Sequence, residues 1–240
     1  HLNGTGVPDL GDIRMLPFNQ NLQGERFFCR YERETQVAMP GYYSVKLADM
    51  NIDVELTVTE RTAMHKYTFN QPGEANLLLD LQNGLVFNSK NIRYRVLEGE
   101  VEMLDNKTIA GYNRVRGWVA RYFYYMIVFD RPYTVKKELP QEEGEKAKRF
   151  ILEFDLKEGE SVQVKVALST VGIEGAKMAL DKENPGWNFE SIKAETNGKW
   201  NDMLSLAEVE GTEEEKMNFY TSMYHLFIQP TNIADIDGKY

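Results

Sequence analysis

Residues 1–12 bring His1, Asn3, Thr5, Asp9 and Asp12 together with Gly4, Gly6 and Gly11. Oxygen-bearing side chains interleaved with glycines, in a stretch without helical or strand periodicity, form the pattern of a tightly turned loop. Glycine allows positive φ and close backbone approach, and the Asn, Thr and Asp oxygens suit sugar hydroxyls or a hard cation. A polar turn entering a strand at 13–16 would have the same composition. Two phosphate-binding readings fail. Gly4-Thr-Gly6-Val-Pro-Asp9 has an aspartate where a dinucleotide fingerprint needs its third glycine, and no Gly-Lys-Ser/Thr run occurs anywhere.

A second cluster lies near the other end. Asp235-Ile-Asp237-Gly238 sets alternate aspartates before a glycine, as part of a calcium loop does, and equally as a structural turn does. The rest of an EF-hand is missing. His65 falls in an alternating strand and His225 on an apolar helical stretch, so both are expected to be packed structural residues. The one cysteine, Cys29, excludes an internal disulfide and a multi-cysteine zinc site. No Ser-His-Asp or Cys-His set can be assembled. Inverting glycoside hydrolysis needs two carboxyl groups about 6.5–9.5 Å apart. Sequence spacing singles out no such pair among 37 acidic residues.

The net charge of −9 repels phosphate backbones and argues against a nucleic-acid partner. No apolar run is long enough to span a bilayer as a helix. The chain opens at His1 in the middle of a motif, without a signal peptide. A processing or expression boundary is expected there, and compartment cannot be read from it.

The elements that must position these residues follow from periodicity. Short alternating runs at 27–31, 42–47, 52–59 and 64–69 are separated by turn signals at Pro40-Gly41, Asp49-Met-Asn51 and Gln71-Pro-Gly73. The run 77–81 is continuously apolar, as in a strand buried on both faces. Further strands are expected at 92–97, 100–104, 108–113, 118–129, 133–138, 148–156 and 161–168, with the charged stretch 138–148 as a solvated loop. About a dozen strands without an intervening helix predict a mainly β domain, two stacked antiparallel sheets over residues 1–170. After Ser169 the period changes. A short helix is expected at 174–182, then an amphipathic helix bent near Asn197-Gly198. A third opens at Thr212-Glu-Glu-Glu215 with a capping-box signature. Residues 171–211 read as a helical linker, and 212–240 as the first helix of a second, helical domain.

Seven segments in series carry a resemblance: His1-Leu-Asn-Gly-Thr-Gly6, Pro8-Asp-Leu-Gly-Asp12, Val166-Ala-Leu-Ser-Thr-Val-Gly-Ile-Glu-Gly-Ala176, Pro185-Gly-Trp-Asn-Phe189, Trp200-Asn201, Glu208-Val-Glu-Gly211 and Asp235-Ile-Asp-Gly238. In order and spacing the chain resembles glycoside hydrolase family 92, the calcium-dependent exo-acting α-mannosidases. Asn188 stands where the family more often has aspartate, and Gly172 where it has serine.

The resemblance implies a large amino-terminal β-sandwich, a helical linker, and an (α/α)6 barrel of which this chain holds only the start. It implies a site between the two domains, where a calcium ion contacts two mannose hydroxyls and hydrolysis inverts the anomeric carbon. The general acid and base belong to the downstream barrel, so no catalytic residue is assigned here, and the calcium ligands are expected outside the segment. From the matched motifs, His1, Asn3, Thr5 and Asp9 are expected to contact substrate, with Asp235 and Asp237 facing the interdomain site. The implied partners are an α-mannoside glycan, N-glycan or mannan, and the carboxy-terminal catalytic domain. The implied setting is a secreted or periplasmic bacterial enzyme, with α-1,2 linkages as substrate. The competing reading is a non-catalytic β-sandwich that binds glycan or mediates domain contacts. A solvent-facing aromatic platform at Tyr122 and Tyr124 would favour it.

Overall fold

The computed structural model describes residues 12–19, 27–84, 96–116, 120–228 and 232–240. Among these, twelve strands precede three helices. In chain order they are β1 (Arg14–Phe18), β2 (Tyr31–Met39), β3 (Tyr42–Leu47), β4 (Ile52–Val58), β5 (Thr62–Phe69) and β6 (Ala75–Asp80). There follow β7 (Val96–Met103), β8 (Thr108–Arg116), β9 (Ala120–Phe129), β10 (Tyr133–Glu138), β11 (Arg149–Phe154) and β12 (Ser161–Ser169). The helices are α1 (Ile173–Glu183), α2 (Phe189–Leu204) and α3 (Glu213–Phe227).

The strands form two antiparallel sheets, β1-β6-β11-β10 and β2-β3-β4-β5-β12-β9-β8-β7. Alternation decides how they stack. On β9 the inward residues Phe123, Tyr125, Ile127 and Phe129 join Leu77, Leu79, Phe150, Leu152 and Phe154 of the smaller sheet in one core. The outward Met126 joins Ala110, Ala167 and the α1 residues Ala176, Ala179 and Leu180 in a second cluster. Small residues at intervals of three and four on α1 let the helix lie close against the sheet. Strand β6 is buried along its whole length, as its continuous apolar run predicts. No helix among the described residues is long and apolar enough to cross a membrane.

The sandwich and its trailing helices match the expected architecture, with four local differences. Residues 27–30 are not strand; the strand is β2, which lies at the sheet edge and is mostly exposed. Held by backbone pairing to β3, it shows no apolar alternation to read. The expected separate strands at 92–97 and 100–104 are one strand, β7, from Val96 onward, residues 92–95 lying outside the described set. Gly99 is a close-approach position there, since a Cβ would stand 2.5 Å from Asn113 Oδ1 and 3.3 Å from the Ala147 Cβ. Helix α2 runs unbroken through Asn197-Gly198. Phe189, Ile192 and Thr196 dock its buried face, and the Thr196 hydroxyl donates to the Val58 carbonyl. Tertiary contact thus overrides a local weakness. His225 is exposed, because α3 has no buried residue at all. His65 matches its structural reading: its Nδ1 lies 2.7 Å from Tyr67 Oη, and burial lowers its pKa to about 3, leaving it neutral.

Gly111 tests how tightly the inner face of β8 is filled. A Cβ there would overlap the Glu100 carbonyl and stand 2.5 Å from the Tyr125 hydroxyl, which itself donates to Glu100 O at 3.1 Å. Gly111→Ala is therefore expected to destabilise the fold by about 1–3 kcal/mol, measured as a lowered urea midpoint at unchanged m-value.

Candidate functional site

Strand register gathers the informative residues at one end of the sandwich. In the larger sheet Arg116↔Ala120, Val96↔Val115, Ala167↔Thr62 and Tyr42↔Thr57 all lie toward that end. Arg14↔Asp80 and Arg149↔Asp80 mark the same end of the smaller sheet. Two contacts tie the ends together. Asn113 Nδ2 donates to the Leu81 carbonyl at 2.8 Å, and Arg121 Nη2 meets Asp12 Oδ2 at 2.5 Å. The segment 1–11, with His1, Asn3, Thr5 and Asp9, lies outside the described residues. Its junction is the buried Asp12, which the Arg121 pair fixes at this end.

The same corner carries a polar network linking sandwich, helices and the carboxy-terminal segment. Glu183, at the end of α1, accepts from Thr59 Oγ1 (2.6 Å), the Arg61 backbone N–H (2.9 Å) and Arg61 Nη1 (2.8 Å). Burial works against this carboxylate, but the Thr59 and Arg61 hydrogen bonds outweigh it and hold its pKa below the ordinary value. Arg61 Nε donates to the Ala234 carbonyl at 2.9 Å. Next to it Asp235, buried, accepts from Ser169 Oγ at 2.6 Å. Asp237 is exposed, and its salt bridge and hydrogen bond to Lys239 lower its pKa. A cleft of about 390 Å³ opens beside this network, lined by Thr59, Glu183, Asn188, Ser191, Glu195 and Lys199 among others.

These positions define what the corner can do. Among the described residues, no three His, Cys, Asp or Glu side chains come together as a metal site. Asp235 engages Ser169 and Asp237 engages Lys239, so the described residues do not fit calcium. Sequence reasoning did not single out Ser169, Gly175, Arg61 or Glu183. The signal for two of them was present: Ser169 ends an apolar strand, and Gly175 is a glycine inside a helix, a poor place for one unless something approaches closely.

The tyrosines of β8 and β9 bear on the alternative reading. Tyr122 and Tyr124 stack with centroids 6.3 Å apart and planes at 18°, and Tyr112 packs on both at 6.0 and 5.8 Å. Arg114 covers Tyr122 at 5.6 Å, and the hydroxyls of Tyr112 and Tyr122 donate to Glu98. The Glu98 carboxylate holds the Tyr112 pKa up at about 12. A pyranose stacks on an open aromatic face; Tyr124 and Arg114 pack on Tyr122, which still keeps 39% of its surface exposed, so the cluster faces solvent.

The family model described as "Glycosyl hydrolase family 92 N-terminal domain" matches residues 1–169, and "Glycosyl hydrolase family 92 catalytic domain" matches 175–240. Among solved structures, the family GH92 α-mannosidase BT3965 of Bacteroides thetaiotaomicron is 28% identical, with a TM-score of 0.83 over 99% of this chain and 34% of its own. The GH92 family glycosyl hydrolase ccman5 is 21% identical, with a TM-score of 0.78 over 96% of this chain and 34% of its own. The inverting GH92 mannosidase BT2199 of Bacteroides thetaiotaomicron VPI-5482 is 19% identical, with a TM-score of 0.76 over 94% and 31%. The last two show the fold alone. The chain thus spans about a third of the length of the solved structures it matches. No curated protein matched.

The Glu183–Arg61 pair gives a pH prediction. A carboxylate whose folded pKa is depressed contributes stability above its unfolded value, near 4.3, and loses it as pH falls through the folded value. Glu183→Gln is expected to lower stability by about 1–3 kcal/mol at pH 7. The gap from wild type should close below about pH 4, read from urea midpoints across a pH series.

Proposed function

The chain belongs to glycosyl hydrolase family 92, and from that membership we propose that it is the amino-terminal part of an exo-acting α-mannosidase. It supplies one wall of a site completed by the downstream catalytic domain. The observation that carries this reading is the order of the two family matches: sandwich first, then the opening of the catalytic domain, together covering nearly the whole chain. BT3965 has been solved in complex with mannoimidazole, which supports a mannoside as the substrate class. Inversion at the anomeric carbon is part of the same proposal and rests on the family membership.

In this reading the loop holding His1, Asn3, Thr5 and Asp9 faces the sugar. The general acid, the general base and the groups that hold calcium come from the downstream segment. The described residues do not fit the ion, so none of them is given a step that depends on it. The preferred linkage is α-1,2, on N-glycan or mannan, and the setting is secreted or periplasmic, in keeping with the bacterial source of the relatives. Helix α3 also supports the role of a domain opening. Its Thr212–Glu215 capping box starts it independently, yet Met217 and Leu226 are 68% and 71% exposed. Nine positions apart, these two side chains lie on opposite faces of the helix, and a well-started helix with uncovered apolar side chains and no buried face is open to further packing. Tyr122, which faces solvent at 39% exposure beside Tyr124, is the observation that favours the alternative, a non-catalytic glycan-binding module.

The test is mannose release from α-1,2-linked mannobiose. The 240-residue chain should be silent, and the same chain extended through the downstream catalytic segment should turn over and lose activity on chelation. Turnover by the shorter chain alone would put the acid and base within it. An inactive extended protein would sink the mannosidase reading. The shorter chain is also expected to self-associate through α3; light scattering should show oligomers that Met217→Lys with Leu226→Lys reduces, and a monodisperse monomer before substitution would count against the reading.

A further inference from the structure

The segment after α3 returns to the sandwich, and two separate contacts hold it. The first is Asp235. Ser169 Oγ accepts the backbone N–H groups of Val171 (3.0 Å) and Gly172 (3.1 Å), so its lone pairs are committed. Its proton is thereby aimed at Asp235 Oδ2, 2.6 Å away. Helix α1 makes room for that carboxylate. A Cβ on Gly175 would overlap Asp235 Oδ2 and stand 2.6 Å from Ser169 Oγ. Gly175 has no positive φ to require glycine, so close approach is the reason for it. The second contact is Arg61, which grips Glu183 with one nitrogen and the Ala234 carbonyl with another. The segment then closes on itself. Gly238 N–H donates to Asp235 O at 2.8 Å and Asp235 N–H to Lys239 O at 2.7 Å, with Gly238 at φ 84.

We propose that Ser169, Gly175 and Asp235, with Arg61, form a latch that seats the chain beyond α3 against the sandwich, and that Asp235 is a positioning residue, not a contact to sugar or metal. What the latch positions, the wall of an interdomain site, rests on the functional reading above. The latch itself does not.

Size and charge separate the two roles of Asp235. The latch needs one acceptor at this reach: asparagine keeps it, alanine removes it, and glutamate keeps the charge but is too long for the space beside Gly175. A ligand or ion contact would instead rank glutamate above asparagine. Amide hydrogen exchange of the 240-residue chain, followed by mass spectrometry over 232–240, reads the difference. Asp235→Asn should exchange like wild type, while Asp235→Ala, Asp235→Glu and Gly175→Ala should exchange at least about tenfold faster. Peptides from β9 should be unchanged in all four and serve as the control on folding. A wild-type-like glutamate variant beside a fast asparagine variant would overturn the proposal, as would identical exchange in every variant. Acceleration spreading into β9 would also overturn it, by making Asp235 a general stabiliser. Loss of the mannosidase reading would appear in the mannose-release assay and leave this pattern untouched.

Discussion

The larger sheet is covered on both faces along β9 and β12, and the rest of the molecule depends on that. Phe123, Tyr125, Ile127 and Phe129 turn inward to the smaller sheet, while Met126 and Ala167 turn outward to α1. A sheet with one wet face could end as a free sandwich. This one continues into a helix whose Ala176, Ala179 and Leu180 are fully or nearly buried, so sandwich and helical segment share a packed layer. Lys165 shows how firmly the layer is set. Buried beneath α1, its Nζ donates to the Asn184 carbonyl at 2.6 Å and sits 4.3 Å from the Trp187 ring centre. Burial lowers its pKa, yet the carbonyl end of the helix and the ring face both favour a cation there.

Polar groups are concentrated where the strands end, and their arrangement follows from what burial demands. Glu183, Arg61, Ser169 and Asp235 would each be unfavourable inside alone. Together they are satisfied, and because they come from the turn before β5, the end of β12, α1 and the carboxy-terminal segment, their hydrogen bonds fix how those parts meet. Hydrogen bonds in such a setting contribute modestly to stability and strongly to uniqueness of arrangement. The Asp12–Arg121 pair acts alike across the two sheets, anchoring the strand that leads out of the glycine-rich segment.

Much of the fold was legible in the residues. Period-two alternation marked most strands, the continuous run marked β6, and Thr212 with Glu215 marked the start of α3 down to its reciprocal hydrogen bonds. Illegible elements have specific causes. Strand β2 is exposed and has no pattern to display; Gly99 looks like a turn residue but serves close approach; α2 stays whole through Asn197-Gly198 because Thr196 and Phe189 are held from outside the helix. Of the candidate site, His1, Asn3, Thr5 and Asp9 fall outside the described residues. Asp235 and Asp237 were visible as a motif, but not their separate partners.

The sequence by itself determined the class of fold, the order of sandwich and helices, and, through seven spaced motifs, the family. Those properties live in local periodicity and in residue identity along the chain, which one strand of text preserves. Only the tertiary structure decided that Asp235 meets Ser169 while Asp237 meets Lys239, that Gly175 is small for the sake of a residue sixty positions away, and that three tyrosines of β8 and β9 pack together with Arg114 over Tyr122. The Asp235 contacts to Ser169 and Gly175 depend on which atoms a long-range approach brings within about 3 Å, and no local pattern encodes a distance between residues that meet only after the chain has folded.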